Sequence, residues 1–264
     1  MLIICNGAFK SGSSWLHSIV MALMKLKELS IVKTPLRYTN DVNSPTTIIE
    51  SRLELFINNE DYVTKNYLTK SHFFSKSTLR KQYSNDVRVL FIKRDMRDAI
   101  VSHFFHIRNR YRMNLSFSMY YFLLGRYKCY EIMLFNSRCE EYFIKGNSFN
   151  FYDLKSNFEE TVSNIALVIG IRNLNSDELD WLKKETSIEK LREELKKGNS
   201  NYYPSKRKDN WKLFREGEVG GWKKYFSDYQ LKDVTKIKIG EFSFLSKLIY
   251  FLVFTLRRIV FCIE

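Results

Sequence analysis

Four stretches of this sequence combine side chains of the types and spacings that hold an anion and move a proton. The first is Gly7-Ala8-Phe9-Lys10-Ser11-Gly12-Ser13-Ser14-Trp15, where glycines, hydroxyls and one lysine crowd together. Backbone N–H groups freed in such a loop and at a following helix start point at one spot, and the helix dipole favours negative charge there. Gly7 and Gly12 are five apart, as in the triphosphate loop G-x-x-x-x-G-K-[ST], yet Ser13 stands where that motif has Lys. Lys10 is the loop's cation instead. An ordinary strand-to-helix turn competes with the phosphate reading, because helix starts are rich in Ser and Gly. The second stretch, Tyr67-Leu68-Thr69-Lys70-Ser71-His72-Phe73-Phe74, is an extended segment that delivers His72 beside Lys70. An imidazole titrates near neutral pH and can serve as a base; the competing reading is a structural histidine. In the third, Arg94 directly follows an apolar run and precedes Ser102 by eight residues. The fourth, Arg215-Glu216-Gly217-Glu218-Val219-Gly220-Gly221-Trp222, has three glycines within five residues, which breaks regular structure and lets backbone approach an anion closely.

These residues need elements to position them. Residues 2–5 read as a buried strand, and Trp15-Leu16-His17-Ser18-Ile19-Val20 opens a helical pattern. Residues 33–47, with Pro35 and Pro45, read as loop, residues 46–57 carry a weak helical period, and residues 62–65 read as a short strand. Val87-Arg88-Val89-Leu90-Phe91-Ile92 has the β-branched, apolar character of a central parallel strand buried on both faces, and a helix follows from Met96 with acidic residues near its start. Residues 108–145 read as helical, their stripe of Tyr120, Tyr121, Leu124, Tyr127, Cys129, Ile132 and Phe135 facing the core. Residues 148–154 read as a strand running into a turn, and residues 161–169 as a helix on it. Strands alternating with helices imply an α/β fold whose ligand contacts gather at the strand C-termini.

The composition bounds the rest. A chain of 264 residues with 45% hydrophobic and 16% aromatic residues, only 3 prolines and 10 glycines excludes a disordered protein and long linkers. The 43 Lys and Arg against 29 Asp and Glu give a net charge of +14, which fixes the sign of the partner as anionic and little else. Cys5, Cys129, Cys139 and Cys262 show neither C-x-x-C nor zinc-like spacing, so buried free thiols are expected. With no basic leader ahead of the first strand, a reducing, cytoplasmic location is expected. One domain over residues 1–243 is followed by residues 244–264, which place Lys247, Phe251, Phe254 and Arg258 on one helical face. That helix reads either as a core element with snorkelling cations or as an interfacial membrane or oligomer contact, a homodimer among them.

Taken together, the motifs resemble the sulfotransferases that use 3'-phosphoadenosine 5'-phosphosulfate as donor. In that family the phosphate loop reads Pro-Lys-Ser-Gly-Thr-Thr-Trp; here Phe9 replaces the proline and Ser13 and Ser14 the threonines, keeping both hydroxyls. Lys70-Ser71-His72 is similar to the family's Lys-Thr-His, and Arg94 with Ser102 to its Arg-Asn-Pro-Lys-Asp-x-x-x-Ser, although Asp95 and Met96 depart from it. Tyr152-Asp153-Leu154 resembles the family's Tyr-Glu-Asp-Leu with the Glu dropped. Thr186-Ser187-Ile188-Glu189 resembles the Thr-Ser-Phe-Glu that brackets adenine, with Ile188 weakening any stacking, and it also reads as a plain helix cap. Arg215-Glu216-Gly217 resembles the closing Arg-Lys-Gly, with Glu216 in place of the lysine.

The resemblance implies an α/β fold with a central parallel sheet flanked by helices, a P-loop-like three-layer sandwich with right-handed crossovers. It implies His72 as base, with Lys10 and Lys70 as the catalytic cations, Lys10 at the bridging oxygen. It also implies contact of Ser11, Gly12, Ser13 and Ser14 with the 5'-phosphate, and reading of the 3'-phosphate by Arg94, Ser102, Arg215 and Gly217. Trp15 and Tyr152 are the candidates to sandwich the purine, near Thr186 and Ile188. No metal and no nucleic acid are expected. The acceptor is a small molecule, glycan or lipid hydroxyl or amine; the loop of residues 33–47 and the basic C-terminal segment point to an anionic or membrane-held one. Two other classes fit parts of the sequence: a P-loop kinase or NTPase needing magnesium and triphosphate, and a basic nucleic-acid-binding protein.

Overall fold

The computed structural model describes residues 1–39, 46–80, 84, 86–112, 114–142, 145–198, 217–238, 248 and 252. Arg215 and nearly all of residues 244–264 therefore lie outside the described residues, as does Cys262. In chain order the elements are β1 (Leu2–Gly7), α1 (Ser13–Leu26), α2 (Glu50–Asn59), β2 (Tyr67–Ser71), α3 (Lys76–Leu79), β3 (Val87–Lys93) and α4 (Met96–Tyr111). They continue with α5 (Phe117–Tyr120), α6 (Arg126–Tyr142), β4 (Ser148–Asn150), α7 (Phe151–Ser156), α8 (Phe158–Val168), α9 (Ser176–Glu185), α10 (Ile188–Lys196) and α11 (Asp228–Lys238).

Four parallel strands form one sheet in the order β2-β1-β3-β4. Successive side chains on a strand alternate faces. Leu2, Ile4, Val87, Val89 and Phe91 accordingly enter one core with α2, α4, α5, α6 and α11. Ile3, Cys5, Leu90 and Ile92 enter the other, with α1, α7, α8, α9 and α10. Burial on both faces explains why β1 and β3 read as near-continuous apolar runs. The sheet is thus the middle layer of three, the α/β architecture that the motif order implied. From β1 the chain moves to β2 on one side and then to β3 on the other, so the C-terminal ends of β1 and β3 border the switch point where open sheets bind ligands.

Several local expectations change. Residues 62–64 are a turn, not a strand: the Asp61 carboxylate accepts from the Thr64 N–H at 3.1 Å, closing a local loop. The strand expected over residues 148–154 stops at Asn150, whose side chain accepts from the Tyr152 N–H and caps α7. The helical stretch after Arg108 is interrupted, because Arg112 adopts a left-handed φ of 52° and Ser116 caps a new helix by accepting from Met119 N–H. A π-helical turn at Tyr121–Gly125 then joins α5 to α6. The aromatic stripe is core as expected, with Tyr120, Tyr121, Cys129, Ile132 and Phe135 buried. Cys5, Cys129 and Cys139 are free and buried, and burial drives each thiol's pKa up.

Candidate active site

The loop between β1 and α1 has the backbone of a tight anion cradle. Lys10 adopts φ 69° and Gly12 φ 108°, both in the left-handed region. A Cβ on Gly12 would lie 2.6 Å from the Phe151 ring, and one on Gly7 2.7 Å from the Ile92 carbonyl oxygen. Neither position accepts a side chain without displacing β3 or α7. Gly12 also stands immediately before α1, whose first turn has no side-chain cap among the described residues, and N–H groups at a helix start are donors for an anion. Ser11 is buried, and its Oγ has no hydrogen-bond partner among the described residues. A buried hydroxyl left unsatisfied is costly, and a ligand oxygen would satisfy it.

β2 brings the second group of residues to the same end. Thr46 and Ile48 hydrogen-bond to the Lys70 backbone and cover the outer edge of the strand. Lys70 is only 5% exposed, and its Nζ donates to Ser14 Oγ at 3.3 Å, so this cation is held against the start of α1. The next residue but one, His72, places Nδ1 2.6 Å from the Gly7 carbonyl oxygen. A carbonyl only accepts, so Nδ1 carries the proton and Nε2 keeps the lone pair, ready to accept a proton from elsewhere. Although part of the ring reaches the surface, burial holds the His72 pKa down to about 4. The Gly7 carbonyl opposes that shift, Lys70 and Lys128 reinforce it, and Glu131 opposes it. The imidazole is therefore neutral at physiological pH.

His72 is held in place from β1. The buried Asn6 donates through Nδ2 to the Phe73 carbonyl at 3.0 Å and accepts through Oδ1 from the Phe73 N–H at 3.1 Å. Only one orientation of the amide satisfies both bonds. Asn6 lies inside an apolar strand pattern, and its polarity there was the available signal for this role.

The end of β3 supplies Arg94, whose guanidinium lies 4.2 Å from the centroid of the Phe151 ring and donates to the Glu218 carbonyl at 2.9 Å. Ser102 lies farther along α4, on the helix that Asp95 caps through its bond to Arg97 N–H. The closing loop is anchored to α4 by Asp98. Its buried carboxylate accepts from Gly220 N–H at 2.8 Å and from Trp222 N–H at 3.0 Å, and Arg97 stacks over Trp222 at 3.8 Å. Gly217 adopts φ 59°, and a Cβ there would meet Ile188 Cδ1 at 2.1 Å, so Ile188 packs directly beneath it.

The structure separates the purine candidates. Trp15 is buried, its indole N–H donating to the Thr186 carbonyl at 2.8 Å, and its ring meets Phe151 edge-on at 5.2 Å. Lys155 lies 5.8 Å above the Trp15 ring centroid. Tyr152 is 54% exposed and lines a cleft of about 510 Å³ with Lys155, Ser156, Gly217, Glu218, Val219 and Lys224. Phe151, which sequence reasoning passed over, is the ring that joins Trp15, Gly12 and Arg94. The Thr186 hydroxyl turns inward to Leu182, and Ser187 caps α10 through Lys190 N–H, so the cap reading of this segment describes its geometry. Among the described residues no cluster of His, Cys, Asp or Glu could hold a metal ion. No described helix is long and apolar enough to cross a membrane.

The loop, the lysine–histidine pair and the arginine thus gather at the carboxyl end of the sheet. Comparisons with known proteins bear on the fold and the family of the chain. The mouse sulfotransferase 2A2 is 26% identical over 244 residues, covering 86% of this chain and 79% of its own. The mouse sulfotransferase SULT7A1 complexed with PAP superposes with a TM-score of 0.64 at 16% identity, over 96% of this chain and 88% of that one. Retinol dehydratase in a complex with retinol and PAP gives 0.60 at 14% identity, over 89% and 79% of the two chains. These two structures establish the shared fold. The sulfotransferase domain model matches residues 2–239, and the chain belongs to the sulfotransferase family.

Proposed function

We propose that this protein transfers a sulfuryl group from 3'-phosphoadenosine 5'-phosphosulfate to a hydroxyl or amine acceptor by in-line displacement, with His72 as the base. The observation that carries this reading is the bond from His72 Nδ1 to the Gly7 carbonyl. It ties the base to the phosphate loop itself and leaves Nε2 as the proton-accepting nitrogen.

The residues present suit such a donor. The unsatisfied Ser11 hydroxyl, the backbone at Gly7 and Gly12 that no Cβ could share, and the start of α1 form a fitting cradle for a 5'-phosphate. Ser13 and Ser14 add hydroxyl donors. Arg94, with Ser102 and Gly217, would take the 3'-phosphate, and Arg215 joins them by resemblance. Trp15 and Phe151, close to Thr186 and Ile188, would border the purine, with Tyr152 at the rim of the cleft. When bound, the donor supplies a sulfuryl group activated by a bisphosphate leaving group. Lys10 and Lys70 neutralise charge that develops on the leaving side, and His72 takes the proton of the attacking acceptor. Because the Lys70 amine is already held against Ser14, it needs little reorganisation to act. The two solved structures named above are complexes with PAP, one of them with retinol as well, which supports a bisphosphate nucleotide and a small-molecule acceptor here.

Calorimetric titration with PAP, the 3',5'-bisphosphate product, and with ATP plus magnesium tests the donor assignment. PAP should bind at least about tenfold more tightly than ATP. Arg94→Ala should weaken PAP by about 10- to 100-fold, the equivalent of one charge-assisted hydrogen bond. ATP binding as tight as PAP, insensitive to Arg94, would sink the assignment in favour of a triphosphate enzyme.

A further inference from the structure

The ring of Phe9 is surrounded by imidazoles. It meets His72 edge-on at 5.8 Å between centroids, His103 at 5.4 Å and His106 at 5.5 Å, three of the chain's four histidines. Two lysines also approach it, with Lys10 Nζ 5.9 Å and Lys128 Nζ 5.5 Å from the ring centroid. His103 and His106 are one helical turn apart on α4, and the buried His103 has Nδ1 2.5 Å from the Tyr120 hydroxyl. Lys128 is paired with both carboxylate oxygens of Glu131 at 2.7 Å, so that pair adds no net charge to the cluster.

The position of this cluster relative to the sheet decides what it faces. Trp15, Phe151 and Ile188, the groups assigned to the nucleotide, belong to the core on one face. Ala8, Phe104 and Tyr120, which neighbour Phe9 or its histidines, belong to the core on the other. In-line displacement puts the attacking oxygen opposite the leaving group, so an acceptor must reach His72 from the α4 and α6 side. Phe9 stands on that side, against His72.

Resting on the transfer reaction proposed above, we infer that Phe9 is a specificity-determining residue. Its ring fills the acceptor side of His72 and selects a slim, uncharged hydroxyl, such as a phenol or primary alcohol, over one borne on a bulky fused-ring system. The bulk of the loop at this position therefore sets acceptor size. The same packing withdraws part of the imidazole from water, in line with its depressed pKa of about 4, a shift that the Gly7 carbonyl and Glu131 oppose and Lys70 and Lys128 reinforce. His103 and His106 face the same ring.

The test uses the full chain with Phe9→Ala and Phe9→Leu, the second keeping most of the side-chain volume as a guard against misfolding. Two readouts are taken. The His72 titration midpoint is followed by imidazole NMR, assigned by loss of its signal in His72→Gln. Affinities of the PAP complex for 4-methylphenol, which stays un-ionised at neutral pH, and for androsterone, a four-ring alcohol, are measured by calorimetry. Phe9→Ala should raise the His72 midpoint by at least one pH unit and shift the affinity ratio at least tenfold toward androsterone, with Phe9→Leu intermediate. If folded Phe9→Ala binds PAP and either the midpoint or the ratio stays at the wild-type value, the inference is overturned. If the wild type fails to bind PAP, the transfer reading itself falls and the acceptor assignment falls with it.

Discussion

Replacing Asp98 by alanine should loosen the closing loop and lower donor affinity without touching the phosphate loop. The Asp98 carboxylate is buried and accepts two backbone N–H bonds, from Gly220 at 2.8 Å and Trp222 at 3.0 Å. Charge-assisted bonds of this kind contribute about 1.5–3 kcal/mol each, and the alanine would leave two donors without a partner. Relaxation of the loop into solvent recovers part of this, so the expected loss is about 2–4 kcal/mol. For a chain of this size that lowers Tm by on the order of 5–10 °C. Asp98→Asn keeps one acceptor oxygen and should lose about half as much. The same loop supplies the Glu218 carbonyl that receives Arg94, so its displacement should weaken PAP roughly tenfold, or about 1.4 kcal/mol. Urea denaturation gives the stability change and calorimetry the affinity. An Asp98→Ala protein within about 0.5 kcal/mol of wild type, with unchanged PAP binding, would show that α4 does not position this loop.

Gly12→Ala combines a left-handed φ of 108° with a Cβ 2.6 Å from the Phe151 ring, so it should destabilise by about 1–3 kcal/mol and reduce PAP affinity, measured by the same two methods. The folded His72 pKa of about 4 lies below the ordinary 6.5, so between those values the unfolded chain binds the proton and the native state does not. Stability from this group is intact above pH 6.5 and declines as pH falls toward 4, by about 2 kcal/mol at pH 5. Solvent reaching the ring would reduce that figure. Urea midpoints at pH 7 and pH 5 for wild type and His72→Gln should show a smaller acid loss in the variant. The raised thiol pKa values of Cys5, Cys129 and Cys139 predict that mass spectrometry finds all three unmodified after brief treatment of native protein with iodoacetamide at pH 7.5, and labelled after unfolding.

The fold was legible in the sequence where local pattern and burial coincide. β1 and β3 sit in the middle of the sheet, so their runs from Leu2 and Val87 are apolar without alternation, and the glycines at 7 and 12 mark a turn that only small residues allow. Residues 62–65 misled because Tyr62 and Val63 have strand propensity, while the Asp61 cap makes a turn that propensity does not register. Residues 151–154 misled in the same way: Phe151 and Tyr152 favour strands, but Asn150 caps a helix. Of the site, the loop, the Lys70–His72 pair and Arg94 were visible as motifs. Asn6, Asp98 and Phe151 were not, because each acts on a partner at least 67 residues away in sequence or through a ring contact that exists only once β3, α1 and α7 have packed. The proposed role of Phe9 is of the same kind, since nothing local announces that His72, His103 and His106 converge on its ring.

The central claim is that His72 moves the acceptor's proton while the rest of the site holds the donor. Turnover of the donor by wild type and His72→Ala, measured beside calorimetric PAP affinity for both, tests it most directly. The account predicts PAP binding within about threefold of wild type and turnover lower by at least about 10²- to 10⁴-fold, the range general-base catalysis supplies. Turnover within tenfold of wild type, or loss of PAP binding together with activity, would contradict it.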